Sequence, residues 1–136
     1  MGVSYCIELE TLIFSLSGDN TRKEAEDAFR KAFSEPSLPE KPNILIDAFS
    51  SERHRPTGEV IALGEVLCSH ASKMGRRCAL VMNEDRPRQM ELERFLSGIS
   101  LRHQLEFGVF ISRDCALEWL REQDGKPKEP NRREPI

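Results

Sequence analysis

The sequence predicts an α/β domain: a mostly parallel mixed sheet with an N-terminal hairpin or bulged strand, and four β-strand–α-helix units. Short apolar runs alternate with segments of helical periodicity along the chain, a pattern typical of parallel strands joined by crossover helices. Helix-capping and helix-breaking residues separate these segments. The length of 136 residues fits one domain, and no solenoid period is present.

Residues 3–17 are predicted to be extended. Apolar residues occupy every second position in two sets. The first set has odd numbers (Tyr5, Ile7 and Leu9) and the second has even numbers (Leu12, Phe14 and Leu16). Alternation indicates a strand with one buried face. The change of parity near Glu10 therefore indicates a tight hairpin or a bulge.

The first helix is predicted to follow Thr21. Thr21 and Glu24 have the spacing of a capping box, in which each side chain accepts a hydrogen bond from the backbone N–H of the other residue. Apolar residues then recur at helical spacing: Ala25, Ala28, Phe29, Ala32 and Phe33. Pro36 is predicted to end this segment.

Residues 43–47 and 78–82 are short apolar runs, which are typical of parallel strands covered by helices on both faces. The helix between them is predicted to extend from Thr57, as its N-cap, to Met74, with Gly75 as its C-cap.

A third helix is predicted to begin at Arg86-Pro87, where the missing proline N–H has no cost, and to end at Gly98. The residues at helical spacing along it are Met90, Leu92 or Glu93, and Phe95-Leu96. The last predicted strand and helix are residues 107–111 and the segment after Ser112.

Residues 1–123 are then the domain. Residues 124–136, with seven charged residues and three prolines, are predicted to be a disordered tail.

Composition narrows the function classes. The net charge is −3, from 20 basic and 23 acidic side chains, which argues against general nucleic-acid binding. No apolar run is long enough for a membrane span, and no signal peptide is visible. The four cysteines form no CxxC pair and are expected to be reduced, mostly buried thiols of a cytoplasmic protein. Neither a metal site nor a cofactor is expected.

The order of elements resembles the STAS-like domains, the fold of the bacterial anti-sigma-factor antagonists, over about residues 5–121. The matching features are the opening hairpin and these segments: the Gly18–Thr21 turn, Ile44–Asp47, Thr57-Gly58, and Phe110–Asp114 leading into Ala116–Leu120. The resemblance implies a non-catalytic regulatory or adaptor domain that acts through protein–protein contacts, and not an enzyme. It leaves the partner unidentified and a homodimer open.

In the antagonists, a phosphorylatable Ser lies in an Asp-Ser-Ser-Gly context where the chain enters the second crossover helix. The corresponding residues here are Arg55, Pro56, Thr57 and Gly58. The resemblance makes Thr57 the phosphoacceptor candidate, although Arg55 and Pro56 replace the acid and one serine.

The loop before that helix contains Arg53, His54 and Arg55. A helix N-terminus attracts anions, and arginine offers a fork of donors that fits carboxylate or phosphate. Arg53, His54, Arg55, Thr57 and Gly58 are therefore the candidate residues for contact with an acidic partner surface or a bound anion. An ordinary solvated loop is the other interpretation.

The carboxyl ends of parallel strands are where open α/β sheets bind ligands. A module that binds a small anionic ligand, a nucleotide or a lipid head group at this edge is the alternative function. Acids also follow the predicted strands: Asp19, Asp47, Glu84, Asp85 and Asp114. A phosphoacceptor or metal-dependent enzyme is the weakest alternative, because acids at strand ends are mainly turn formers and helix caps.

Overall fold

The computed structural model describes residues 2–51, 56–83 and 85–122. Its elements are β1 Gly2–Glu8, β2 Thr11–Ser17, α1 Arg22–Phe33, β3 Asn43–Asp47, α2 Thr57–Cys68, a 3₁₀ turn Ala71–Lys73, β4 Arg77–Val81, α3 Arg86–His103, β5 Glu106–Phe110 and α4 Arg113–Arg121. The strands form one sheet in the order β1-β2-β3-β4-β5. The first pair is antiparallel and the others are parallel, so the predicted α/β class, mixed sheet and four βα units are confirmed.

The N-terminal extended segment is a hairpin. Glu8 pairs with Thr11 at its closed end, and the two-residue turn between them explains the change of parity. Leu9 has a positive φ of 57° and is largely exposed. A leucine in the left-handed region lacks the usual Gly or Asn signal, so the turn type was not predictable from composition.

The capping box of α1 is present as predicted. The Thr21 side chain accepts from the Glu24 N–H at 3.1 Å, and Glu24 Oε1 accepts from the Thr21 N–H at 2.9 Å. The apolar stripe of the helix is buried, and Phe29 packs edge-on against Phe14 of β2 with ring centroids 4.9 Å apart.

The two faces of the sheet are covered unequally. Helices α1, α2 and α3 share one core with Leu12, Phe14, Ile44 and Cys78. Because the strands follow one another in sheet order, right-handed crossovers place these three helices on the same face. On the other face, α4 packs on a smaller core with the intervening strand residues: Ile13, Leu45, Ala79 and Val81.

The second helix is shorter than predicted. It ends at Cys68, and a 3₁₀ turn precedes Met74. Gly75 does not cap a helix: its N–H donates to Pro42 O at 2.7 Å, and a Cβ there would lie 2.8 Å from Lys41 O. This close backbone approach is the reason for glycine at this position.

The third helix is longer than predicted, because it continues through Gly98 to His103. Of the residues predicted at helical spacing, Leu92 and Leu96 are buried, whereas Met90 and Phe95 are exposed. Apolar residues lie on more than one side of this helix, so periodicity alone did not separate the buried residues from the exposed ones. The strands β4 and β5 each lie one residue earlier than predicted.

Candidate functional site at the start of the second crossover helix

The strand-end edge is the edge of the sheet at which β2, β3, β4 and β5 end. The candidate loop follows β3 there, and Arg53, His54 and Arg55 lie outside the described residues, as do Glu84 and the segment 124–136. The binding role of the three loop residues therefore stays a prediction. At the far end of the loop, Gly58 is exposed, and no atom would lie within 4 Å of a Cβ added to it.

Thr57 is not the N-cap of α2, contrary to the sequence prediction. Pro56 takes that position in an extended conformation, with φ −63° and ψ 154°, and provides no side-chain acceptor. The extended ψ of Pro56 keeps this residue outside the helix, which therefore begins at Thr57. The Thr57 hydroxyl instead accepts a hydrogen bond from Arg88 Nη1 at 2.6 Å.

Arg88 is the basic residue at this site that sequence reasoning missed. It lies in the first turn of α3, and its Nη1 also contacts Glu91 Oε1 at 3.4 Å. Its side chain is only 16% exposed. Successive parallel strands start their crossover helices at the same edge, so the sheet order could have indicated that the starts of α2 and α3 are neighbours.

The loops after β2 and β3 are joined at this edge. The Gly18 N–H donates to Ser50 O at 3.1 Å, and Gly18 forms an isolated bridge with Ser51. Asn20 is fully buried, and its Nδ2 donates to Ser51 Oγ at 2.9 Å and to Gly18 O at 3.2 Å. These bonds fix the described end of the candidate loop against the sheet.

Beneath α2 lies a cavity of about 110 Å³. The helix packs between α1 and α3, and residues of both the helix and the sheet line the cavity. Most of its lining is apolar, including Phe29, Ile46, Leu63, Leu80, Met82 and Phe107. Its polar lining consists of Ser51, Asn83 and Arg88, which lie at the strand-end edge. The cavity thus has an apolar body and a polar, cationic end.

The acids at the strand-end edge serve mainly structural roles in the described part of the chain. Asp47 accepts from Arg113 Nη1 at 3.2 Å and from the Phe49 N–H at 3.1 Å. Asp85 accepts from the Arg88 N–H at 3.0 Å at the start of α3. Among residues 2–51, 56–83 and 85–122, no three His, Cys, Asp or Glu side chains are grouped so that they could hold a metal ion.

The cysteines divide into two classes. Cys68 and Cys78 are buried, as expected, whereas Cys6 and Cys115 are exposed, and all four are free. Burial raises the pKa of the Cys68 thiol to about 11 and raises the pKa of Cys78 as well. A thiol with a raised pKa is a poor nucleophile, so neither buried cysteine is suited to covalent catalysis.

A wider open groove of about 670 Å³ lies at the opposite edge of the sheet. Arg77 in its lining contacts Glu106 at 3.0 Å and Glu122 at 3.5 Å. Its guanidinium also lies over the Trp119 ring, 4.8 Å from the centroid. This arginine therefore joins β4, β5 and α4 and has a structural role.

Comparison with known proteins finds a likeness of fold among solved structures. No family model matches the chain, and no curated protein matches it. Among solved structures, it resembles an uncharacterized protein of the DUF3478 family with a SpoIIAA-like fold from Shewanella loihica, with a TM-score of 0.57. The identity is 20%, over 88% of this chain and 94% of that one. The chain therefore has a SpoIIAA-like, STAS-like fold, as the sequence predicted. In the described residues, no helix is long and apolar enough to cross a membrane.

Proposed function

We propose that this chain is a non-catalytic regulatory domain that acts through protein contacts made around the start of α2. The observation that carries the proposal is a set of exposed apolar side chains at this position. Phe49, Met90 and Phe95 are 44%, 55% and 46% exposed. Phe49 follows β3, Met90 lies in the first half of α3 and Phe95 lies near its middle; the start of α3 contacts Thr57 through Arg88. A contiguous exposed apolar patch is a feature of protein-binding surfaces, and we propose that these three side chains contribute to one.

The composition of α2 supports the same surface. Val60, Ile61, Ala62 and Leu63 are consecutive apolar residues, and each is half-buried. A helix that is apolar on every side is usually buried completely, whereas α2 keeps one side at the protein surface between α1 and α3. An apolar centre of this kind with charged residues beside it has the composition of a contact surface.

Several charged residues beside this surface, within the part of the chain that the structure describes, are paired in structural contacts. Arg102 and Glu65 form an ion pair between α3 and α2, and Glu91 contacts Arg88. Together with the structural roles of Asp47 and Asp85, these contacts favour recognition over acid–base or metal-assisted catalysis at this edge.

The test is affinity capture from cells of the source organism with a matched pair of variants. Phe95→Glu places a charge in the proposed surface, and Leu101→Glu places the same charge on an exposed residue at the far end of α3. We expect Phe95→Glu to lose a specific partner that wild type and Leu101→Glu retain. Equal capture by all three proteins, with melting temperatures unchanged, would contradict the proposal. Size-exclusion chromatography of the same variants tests whether the partner is a second copy.

The basic loop is expected to contribute to the same contact. The double substitution Arg53→Glu and Arg55→Glu reverses the charge of the loop and should weaken the binding of an acidic partner. Charges at the rim of an interface mainly control the association rate and its dependence on salt. Thr57→Ala removes the acceptor of Arg88 and the phosphoacceptor candidate together. We expect constitutive binding without phosphorylation, so protein purified from its source should have an unmodified Thr57 by mass spectrometry. Unchanged binding by the charge-reversed protein makes this loop an ordinary solvated connection.

A further inference from the structure

The cavity under α2 results from small residues contributed by different elements. Ala25 of α1, Ala48 after β3, Gly64 of α2 and Cys78 of β4 all line it. A larger residue in place of Gly64 would press against α3, because an added Cβ would lie 3.2 Å from Ile99 and 3.3 Å from Leu96. Protein interiors contain few spaces larger than a water molecule, so a partly open cavity of about 110 Å³ between a helix and the sheet is a distinctive feature.

The size of the cavity limits what it can hold. An apolar cavity of about 150 Å³ in another protein binds benzene, so the smaller space here fits an apolar body of at most about six non-hydrogen atoms. This is far below the volume that a lipid tail or a nucleotide base with its sugar needs. The apolar part of an occupant is therefore one compact ring or a short branched chain.

The polar end of the cavity has the chemistry to recognise an anion. Arg88 lies there, and a guanidinium has five donors, so it can bind a carboxylate while it keeps its bond to Thr57. The N-terminus of α2 adds a second favourable element, because Thr57 is its first residue and Pro56 provides no side-chain cap. Ser51 and Asn83, at the same end, add hydrogen-bonding groups.

We propose that this cavity binds a small carboxylate, with its apolar body between α2 and the sheet and its carboxylate on Arg88. This binding site goes beyond the proposed protein contacts and does not depend on them. Glu91 lies 3.4 Å from Arg88 and competes with the ligand for the guanidinium. The ligand class is thus a monocarboxylate, because a second negative charge would face both Glu91 and the apolar lining.

The experiment compares benzoate with benzamide, which has the same shape and no charge. The full chain, labelled with ¹³C at its methionine methyl groups, is titrated with each compound and observed by NMR. Met82 lines the cavity and should shift on titration, whereas the exposed Met90 should not. We expect benzoate to bind at least about tenfold more tightly than benzamide, since a charge-assisted bond is worth about one decade or more in affinity.

Three variants separate the contributions of the Arg88 charge, the competing Glu91 charge and the cavity volume to binding. Arg102→Met, on the same helix, is the matched control for Arg88→Met. Arg88→Met should abolish the preference for benzoate and leave benzamide binding unchanged. Glu91→Gln should tighten benzoate binding by a few fold. Ala48→Leu should fill the cavity and abolish the binding of both compounds. Its melting temperature shows whether the variant folds.

Three results would overturn the proposal. They are equal affinity of wild type for the two compounds, absence of a saturable shift at Met82, and a preference for benzoate that survives Arg88→Met. The first two need no variant, so the proposal can fail even if a substitution disturbs folding. Loss of partner capture in Phe95→Glu with benzoate binding intact separates this site from the protein-contact surface.

Discussion

Asn20→Ala tests how the candidate site is held together. The Asn20 amide is fully buried, and its Nδ2 donates to Ser51 Oγ, Gly18 O and Ser17 O at 2.9, 3.2 and 3.4 Å. Removal of a buried donor forfeits hydrogen bonds of about 1 kcal/mol each and leaves acceptors without that partner. We expect a loss of about 2–3 kcal/mol in the free energy of unfolding, which is a fall of about 6–15 °C in melting temperature for a domain of this size.

Urea titration of the wild type and three variants measures this loss. Ser51→Ala removes only one of the acceptors, so it should cost about 1 kcal/mol. Asn83→Ala changes an exposed asparagine at the same edge and should lie within about 0.5 kcal/mol of wild type. The reasoning is refuted if Asn20→Ala costs no more than Asn83→Ala, because the two loops would then be held by other contacts.

Asn20→Asp adds a pH dependence to the same test. A carboxylate at this position faces carbonyl oxygens and cannot donate to them, so its pKa in the folded state must rise above its unfolded value. The unfolded state then loses its proton first as pH rises, and stability falls with increasing pH through that window. The variant should therefore be closest to wild type in acid, which circular dichroism melts over a pH series will show.

Three further predictions concern other parts of the chain. Iodoacetamide should modify the two exposed thiols of the native protein, and mass spectrometry should find Cys68 and Cys78 modified only after unfolding, because burial raises the pKa of each. Gly75→Ala should lower the free energy of unfolding by about 1–3 kcal/mol in urea titrations, because its Cβ would collide with the Lys41 carbonyl. Gly98→Ala, with open space around its Cβ, should raise that free energy by up to about 1 kcal/mol. Truncation after Gln123 should change the free energy of unfolding by less than about 1 kcal/mol; a larger loss in that titration would show that the tail packs on the domain.

The parts of the fold that depend on local chemistry were predictable from the sequence. The capping box of Thr21 and Glu24 involves residues three apart. The strand Asn43–Asp47 is a continuous apolar run with an acid at its end. Short-range signals of this kind, in sequence order, were enough to indicate the mixed sheet and the STAS-like fold.

The candidate site was less predictable, because its contacts join residues that are distant in sequence. Thr57 and Arg88 are 31 residues apart, so no local pattern shows that they meet. The cavity is lined by small residues from three elements and one loop, and each of them is unremarkable in its own segment. Pro56 is the N-cap because its ψ is extended, whereas its ring fixes only φ, so the sequence does not show where this helix begins.

The unequal covering of the sheet has a consequence for how the chain folds during synthesis. Each strand pairs with the strand before it in the sequence, so the sheet can grow outward from the N-terminal hairpin as the chain emerges from the ribosome. One face receives its helices along the way. The other face, with Ile13, Leu45 and Ala79, has no cover until α4 arrives. A nascent chain paused before residue 113 would expose this apolar face, which makes that interval the one in which chaperone contact or misassociation is most favoured.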